Sequence, residues 1–280
     1  MIKLQNIQIK GKHGLPILLD LNYIQTNTEK PLVVFCHGYK GFKDWGPWNL
    51  VAKNFADAGF VFAKFNFSHN GGTVEQPIDF PDLEAFGQNN FIKELDDIES
   101  VLDWLMGSTE FYHIIDKRSV SLIGHSRGGA IATIKASEDN RIHKIISWAG
   151  VSDFAIRFPR GEELAYWKKN GVAYIENSRT KQKMPHYIQF YESFIENEER
   201  LTIKNAAEKL KIPHLIVQAT DDENVRMEEG EKLHQWNPKS ELLLVDKANH
   251  TFNSGHPFHQ NELNKELQWV VEKTINFIKK

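Results

Sequence analysis

A Gly-x-Ser-x-Gly pentapeptide at residues 124–128 joins a strand-like sequence to a helix-like one. The apolar run 119–123 precedes it, and the small residues 129–133 follow it. A serine on so sharp a turn takes a strained backbone conformation. A side chain two residues before or after it would collide with the neighbouring strand or helix, so glycine is expected at both places. The pattern predicts a nucleophile elbow, with the Ser126 hydroxyl lifted clear of a sheet and above a helix N-terminus.

Strand-like and helix-like sequences alternate along most of the chain. Two antiparallel strands are expected first, over residues 3–10 and 15–23, around a turn at 11–14. Further strands are predicted at 31–36, 61–66, 119–123, 144–148, 214–219 and 241–245, and helices at 49–58, 90–106, 129–133 onward, 227–236 and in the stretch that ends at 280. This order predicts an α/β fold with a doubly wound, mostly parallel sheet and an N-terminal β-hairpin, in a single domain over 1–280.

One segment interrupts the alternation. Residues 153–211 are helix-like and rich in aromatic side chains, and they show no strand pattern. An insertion at this point of the chain would lie above the C-terminal ends of the strands, where open sheets bind ligands. We therefore expect the 153–211 segment to be a helical cap, or lid, over Ser126. The alternative is a set of helices that only covers the edge of the sheet.

A serine hydroxyl is a poor nucleophile at neutral pH and needs a base that an acid orients. Asp222 follows the predicted strand 214–219, and His250 follows the next strand, 241–245. The two side chains are therefore predicted to complete a triad with Ser126, in the chain order Ser, Asp, His. Asp222 fits the local form Asp-x-x-Val, but Asp221 remains an alternative acid because one residue of register is open.

Two backbone N–H groups are predicted to form an oxyanion hole. One belongs to Tyr39, in the His-Gly-Tyr-Lys-Gly sequence that follows the strand 31–36. The other belongs to Arg127, next to the serine. The loop after 31–36 does not match a phosphate-binding loop, because no Gly-Lys-Ser/Thr sequence follows.

With these motifs, the chain resembles the α/β-hydrolase superfamily over nearly its whole length. Within it, the sequence is similar to dienelactone-hydrolase-like and cinnamoyl or feruloyl esterases, through residues 37–41, 65–71, 124–128, 219–225 and 249–252. The resemblance implies Ser126, Asp222 and His250 as the triad and Tyr39 and Arg127 as oxyanion donors. True dienelactone hydrolases use a cysteine nucleophile where this chain has serine, so that particular activity is not expected.

The resemblance implies a serine hydrolase that cleaves a carboxylic ester through an acyl-enzyme on Ser126. The aromatic 153–211 segment favours a small-molecule ester with an apolar or aromatic acyl or alcohol group. A peptidase or a thioesterase would use the same triad, and a non-catalytic binding protein could share the fold. The lack of an N-terminal propeller domain argues against the oligopeptidase-like branch.

Charge and composition exclude several other classes of function. The net charge of −3 and the lack of a basic, aromatic-rich stretch argue against a nucleic-acid partner. The single Cys36 excludes an internal disulfide. No apolar run approaches the length of a membrane span, and the first residues lack an apolar signal core, so no membrane association and a cytoplasmic location are expected. The oligomeric state is left open.

No cofactor and no metal are expected. His256 and His259 lie near His250 in the sequence and could suggest a metal site. Neither has an accompanying cysteine or a well-spaced carboxylate, however, so we interpret them as ordinary loop histidines.

Overall fold

An eight-stranded, mostly parallel sheet forms the centre of the computed structural model, which describes residues 1–280. Its strands are β1 (Ile2–Lys10), β2 (Pro16–Tyr23), β3 (Lys30–Cys36), β4 (Val61–Asn66), β5 (Ile115–His125), β6 (Lys144–Trp148), β9 (His214–Ala219) and β10 (Glu241–Val245). They lie in the order β1-β2-β4-β3-β5-β6-β9-β10. Strands β1, β2 and β4 pair antiparallel, and all the other pairs are parallel. The predicted α/β class and N-terminal hairpin are confirmed.

Helices cover both faces of this sheet. They are α1 (Trp48–Asp57), α2 (Leu83–Gly87), α3 (Phe91–Gly107), α4 (Arg127–Glu138), α5 (Gly161–Asn170), α6 (Gln189–Glu196), α7 (Glu198–Leu201), α8 (Ile203–Lys209), α9 (Met227–Trp236) and α10 (Lys265–Lys279). Helices α1 and α10 share one apolar layer, and α3, α4, α8 and α9 share the other. Because the inner parallel strands are buried on both sides, they read as nearly continuous apolar runs in the sequence, whereas the edge strand β10 is partly exposed. None of the helices has the length and apolar character that crossing a membrane requires.

The 153–211 segment is not purely helical, and the expectation that it contains no strand was wrong. Gly171, with φ of 72°, ends α5, and an antiparallel hairpin of β7 (Val172–Glu176) and β8 (Lys183–Tyr187) follows. Most of β7 is exposed, and β8 contains Pro185. Neither strand therefore shows the apolar alternation by which strands are recognised in a sequence.

Four charged side chains are buried together beneath the loop that joins β3 to α1. Asp20 and Lys64 face each other across β2 and β4, and Lys43 and Asp44 belong to the loop. Lys64 Nζ lies 2.7 Å from Asp20 and 2.5 Å from Asp44, and Lys43 Nζ lies 2.9 Å from Asp20 and 2.5 Å from Asp44. Burial opposes ionisation of Asp44, but Lys64 and Lys43 outweigh it and lower its pKa to about 2. These ion pairs hold the start of the loop against the sheet.

Replacing Lys64 with methionine should destabilise the fold strongly. The substitution leaves two buried carboxylates facing only Lys43, and breaking a buried ion pair in this way costs about 3–5 kcal/mol. Lys53→Met is the matched control, because Lys53 pairs with Asp57 on the surface and such pairs contribute about 0–1 kcal/mol. Urea unfolding of both variants checks the prediction. Equal losses in the two would contradict it.

The buried carboxyl of Asp97 should make stability depend on pH. Asp97 Oδ2 accepts a hydrogen bond from the Ser68 N–H at 2.7 Å, while Oδ1 has no partner. Burial raises the pKa of Asp97 to about 7, well above its ordinary value of 3.8, despite this hydrogen bond. The protonated form is therefore favoured in the folded state, and its contribution is present below about pH 4 and lost as the pH rises through 7.

Asp97→Asn keeps an acceptor for Ser68 and removes the titrating group. Between pH 4 and 8, the wild type should lose about 2–4 kcal/mol more unfolding free energy than this variant. Denaturant unfolding at several pH values measures the difference. The same dependence of the unfolding free energy on pH in the two proteins would contradict the prediction.

Candidate active site

Ser126 lies at a sharp turn between the end of β5 and the start of α4. Its φ of 58° and ψ of −123° are strained for a residue other than glycine. A Cβ on Gly124 would lie 2.1 Å from the carbonyl oxygen of Gly128, and a Cβ on Gly128 would lie 2.4 Å from that of Cys36. Both glycines are thus required by the backbone on either side, as the sequence pattern predicted.

The structure brings the three predicted triad side chains together. His250 Nε2 lies 2.9 Å from Ser126 Oγ, and His250 Nδ1 lies 2.7 Å from Asp222 Oδ2. Asp222 and His250 follow the adjacent strands β9 and β10, and Ser126 follows β5, which is separated from β9 only by β6. Because all four strands are parallel, the three side chains lie at the same, C-terminal ends of the strands. The imidazole thus bridges the hydroxyl and the carboxylate, which is the arrangement that general-base activation of a hydroxyl needs.

Asp222, and not Asp221, occupies the place beside His250. The Asp222 carboxylate is buried, and its Oδ1 accepts hydrogen bonds from the N–H groups of Asn224 and Val225, both at 2.8 Å. Burial opposes ionisation of Asp222, but the hydrogen bonds from His250 and from these N–H groups outweigh it and lower its pKa. Asp221 is exposed and contacts only the hydroxyl of Thr220 through its side chain.

His125 supports His250 from below, a role that the sequence analysis did not identify. Its Nε2 donates a hydrogen bond to the carbonyl oxygen of His250 at 2.8 Å, and the two rings lie 4.8 Å apart. Burial lowers the pKa of His125 to about 3, so the ring is neutral at physiological pH. The only indication of this role in the sequence was the position of His125 directly before Ser126.

The loop after β3 runs directly against the serine. A Cβ on Gly38 would lie only 2.9 Å from Ser126 Cβ, so no larger residue fits there without a shift. Tyr39 follows, and its N–H donates no hydrogen bond within the protein. Arg127 is the first residue of α4, and its N–H therefore has no acceptor within the helix. Both predicted donor residues thus lie next to Ser126 with N–H groups that the fold does not use.

The side chains of these two residues contact each other. Arg127 Cζ lies 4.4 Å from the centroid of the Tyr39 ring, and Arg127 Nη1 donates a hydrogen bond to the buried Glu94 at 3.1 Å. The Tyr39 hydroxyl is hydrogen-bonded to His186 Nε2 at 2.8 Å. Glu94 and His186 were not among the predicted site residues, because they come from α3 and β8, far away in the sequence.

A cleft of about 1530 Å³ opens above Ser126 and His250. One wall comes from the 153–211 segment and combines the charged Arg157, Glu162 and Glu163 with the aromatic Phe154, Phe158, Tyr166, Trp167, Tyr174 and Phe190. Phe91 of α3 also lines it and stacks on Phe154, with ring centroids 3.8 Å apart. His256 lies elsewhere, where its Nδ1 accepts a hydrogen bond from the Gly46 N–H at 2.9 Å.

The sheet and the Ser126 site together define a hydrolase of the α/β-hydrolase fold. The model of the prolyl oligopeptidase family (peptidase S9) matches residues 48–276, and the chain belongs to this family. The expectation that the chain lies outside the oligopeptidase-like branch, which was based on the lack of a propeller domain, was therefore wrong as a statement about its family.

Solved structures share the fold over almost the whole chain. Est1E from Butyrivibrio proteoclasticus has a TM-score of 0.71 at 16% identity, with 99% of this chain and 98% of Est1E covered. Est1E has also been solved with ferulic acid bound, at a TM-score of 0.73 and 17% identity, with 98% of each chain covered. A dienelactone hydrolase from Anabaena variabilis has a TM-score of 0.64 at 15% identity, with 99% and 97% covered.

Curated relatives match over shorter stretches. The platelet-activating factor acetylhydrolase of Bos taurus is 23% identical over an alignment of 219 residues, and the match covers 65% of this chain and 47% of that protein. An uncharacterized 31.7 kDa protein from the traX-finO intergenic region of Escherichia coli is 26% identical over an alignment of 144 residues, and the match covers 49% of this chain and 43% of that protein. The matches span less than half the length of these relatives.

Proposed function

We propose that this protein is a serine esterase that hydrolyses a carboxylic ester through an acyl-enzyme on Ser126. The observation that carries the proposal is the His250 ring, with one nitrogen 2.9 Å from Ser126 Oγ and the other 2.7 Å from Asp222. This arrangement supplies a base to the hydroxyl and fixes the tautomer of that base.

The chemistry runs in two half-reactions. His250 Nε2 takes the proton from Ser126 Oγ as the oxygen attacks the ester carbonyl, and the N–H groups of Tyr39 and Arg127 bind the resulting oxyanion. His250 then gives that proton to the departing alkoxide, which leaves as the alcohol. His250 Nε2 then takes a proton from a water molecule as the water oxygen attacks the acyl-enzyme, and it gives this proton to Ser126 Oγ as the bond to the acyl group breaks and the acid leaves.

The cleft favours a substrate with an apolar or aromatic group. Its aromatic wall comes from the 153–211 segment, for which we propose the role of a cap over Ser126. Thirteen of the 24 residues that line the cleft are hydrophobic, and apolar and aromatic lining beside oriented polar groups is typical of small-molecule sites. The ferulic acid bound to Est1E, an aromatic acid, supports the same substrate class.

A peptidase is the second candidate, because the family model that matches is that of prolyl oligopeptidases. A thioesterase would use the same groups. Steady-state rates on a p-nitrophenyl ester, a matched thioester and a matched p-nitroanilide separate the three. The esterase proposal expects turnover of the ester and no measurable turnover of the anilide. Anilide kcat/KM within about tenfold of the ester value would favour the peptidase, and exclusive thioester turnover the thioesterase.

A further inference from the structure

The two residues proposed as oxyanion donors are linked through their side chains as well as through their backbones. The Arg127 guanidinium stacks on the Tyr39 ring at 4.4 Å, and the far end of that ring is hydrogen-bonded to His186. Arg127 is fixed in turn by Glu94 of α3. A continuous series of contacts therefore runs from α3, through both donor residues, to the β7–β8 hairpin.

The Tyr39 backbone needs such support. The next residue, Lys40, has φ of 53°, a conformation that residues other than glycine rarely adopt unless their surroundings hold them there. Gly38, on the other side, is in close contact with Ser126. A small rotation of the peptide before Tyr39 would move its N–H away from the oxyanion, and such misplacement is costly in rate. The contacts that the Tyr39 side chain makes with Arg127 and His186 restrain this rotation.

We propose that His186 is a positioning residue for the reaction: through the Tyr39 hydroxyl, it holds the Tyr39 N–H in place to bind the oxyanion. The inference rests on the proposed function and goes beyond it by assigning a task to the hairpin. Burial and the nearby Arg127 lower the pKa of His186 to about 4, so the ring is neutral in the physiological range and keeps this hydrogen bond. The 153–211 segment then contributes to transition-state stabilisation as well as covering the cleft.

Four variants test the proposal by steady-state kinetics on a p-nitrophenyl ester. Tyr39→Phe removes the hydroxyl and keeps the ring, His186→Leu removes the partner, and a third variant combines the two. We expect each single substitution to lower kcat about tenfold with KM within about twofold, since complete loss of an oxyanion donor costs 10²–10³. The double variant should lose no more than either single variant, because both remove the same bond. His186→Gln, which keeps a hydrogen-bonding group, should recover most of the loss.

Tyr187→Phe is the matched control. Tyr187 is the next residue of the hairpin, and its hydroxyl donates a hydrogen bond to Glu84 outside the cleft. If catalysis required only that the β7–β8 hairpin stay packed on the rest of the protein, loss of the Tyr187 hydroxyl would lower kcat as much as Tyr39→Phe does. We expect the control to stay within twofold of the wild type. An equal loss in the control, or a raised KM with unchanged kcat in Tyr39→Phe, would overturn the proposal.

A trifluoromethyl ketone separates this inference from the proposed function. Its adduct with a serine carries an oxyanion, so its affinity should fall in Tyr39→Phe and His186→Leu by the same factor as kcat. If the wild type neither turns over the ester nor binds the ketone, the proposed function fails and this inference with it. If the wild type does both and the variants match it, only the role of His186 is refuted.

Discussion

Replacing Ser126 with alanine should lower ester kcat by about 10⁴- to 10⁶-fold, the largest effect expected of any single substitution. In the proposed mechanism this hydroxyl forms the covalent intermediate, and it is the hydroxyl that is hydrogen-bonded to His250 Nε2. The residual rate would come from the oxyanion donors and from substrate binding. Alanine differs from serine only by the hydroxyl, so the strained turn should form in both. Initial rates on a p-nitrophenyl ester, with circular dichroism as a check on folding, measure the loss.

Ser137→Ala is the matched control for this variant. Ser137 lies on the same helix, α4, where its hydroxyl donates a hydrogen bond to the carbonyl of Ile134, away from the cleft. Its turnover should stay within about twofold of the wild type. Retention of more than about one per cent of the activity by Ser126→Ala would show that the ester is cleaved by another group.

Replacing Asp222 with asparagine should lower kcat by about 10⁴-fold, the second largest effect. The carboxylate accepts a hydrogen bond from His250 Nδ1–H, which keeps the ring proton on Nδ1 and leaves Nε2 free to take the proton of Ser126. An asparagine amide can donate to Nδ1 instead, which places the ring proton on Nε2, the wrong nitrogen. The hydrogen bonds from Asn224 and Val225 to Oδ1 can persist, so the loop should keep its shape.

Asp221→Asn makes the same chemical change one residue earlier in the chain. Because Asp221 is exposed and does not contact His250, its kcat should stay within about threefold of the wild type. The pair therefore decides between the two acids that the sequence left open. A larger loss in Asp221→Asn than in Asp222→Asn would reverse the assignment of the acid.

The turn at Ser126 and the preference for Asp222 over Asp221 could be predicted from the sequence because each has a local cause. The glycines at 124 and 128 report contacts made within one turn. The preference for Asp222 has such a cause, since its Oδ1 accepts hydrogen bonds from the backbone N–H groups of Asn224 and Val225, two and three residues later. The buried parallel strands were predictable because burial on both faces leaves an uninterrupted apolar run.

The rest depends on contacts that no local pattern records. Tyr39 and His186 are 147 residues apart, and the bond between them exists only because the hairpin folds back over the cleft. In the sequence, Glu94 is one of several charged residues on an amphipathic helix, and only the fold shows that it pairs with Arg127. The strands β7 and β8 were missed because most of β7 is exposed and because the buried residues of β8, Met184 and Pro185, are consecutive rather than alternating.

Labelling with a fluorophosphonate probe, followed by peptide mapping by mass spectrometry, tests directly whether Ser126 is an activated nucleophile. A serine activated by a neighbouring base reacts with such a probe, whereas an ordinary serine does not. We expect a single phosphonylated residue, Ser126, with the adduct lost in Ser126→Ala and formed at the wild-type rate in Ser137→Ala. No adduct, or an adduct on a different serine, would contradict it.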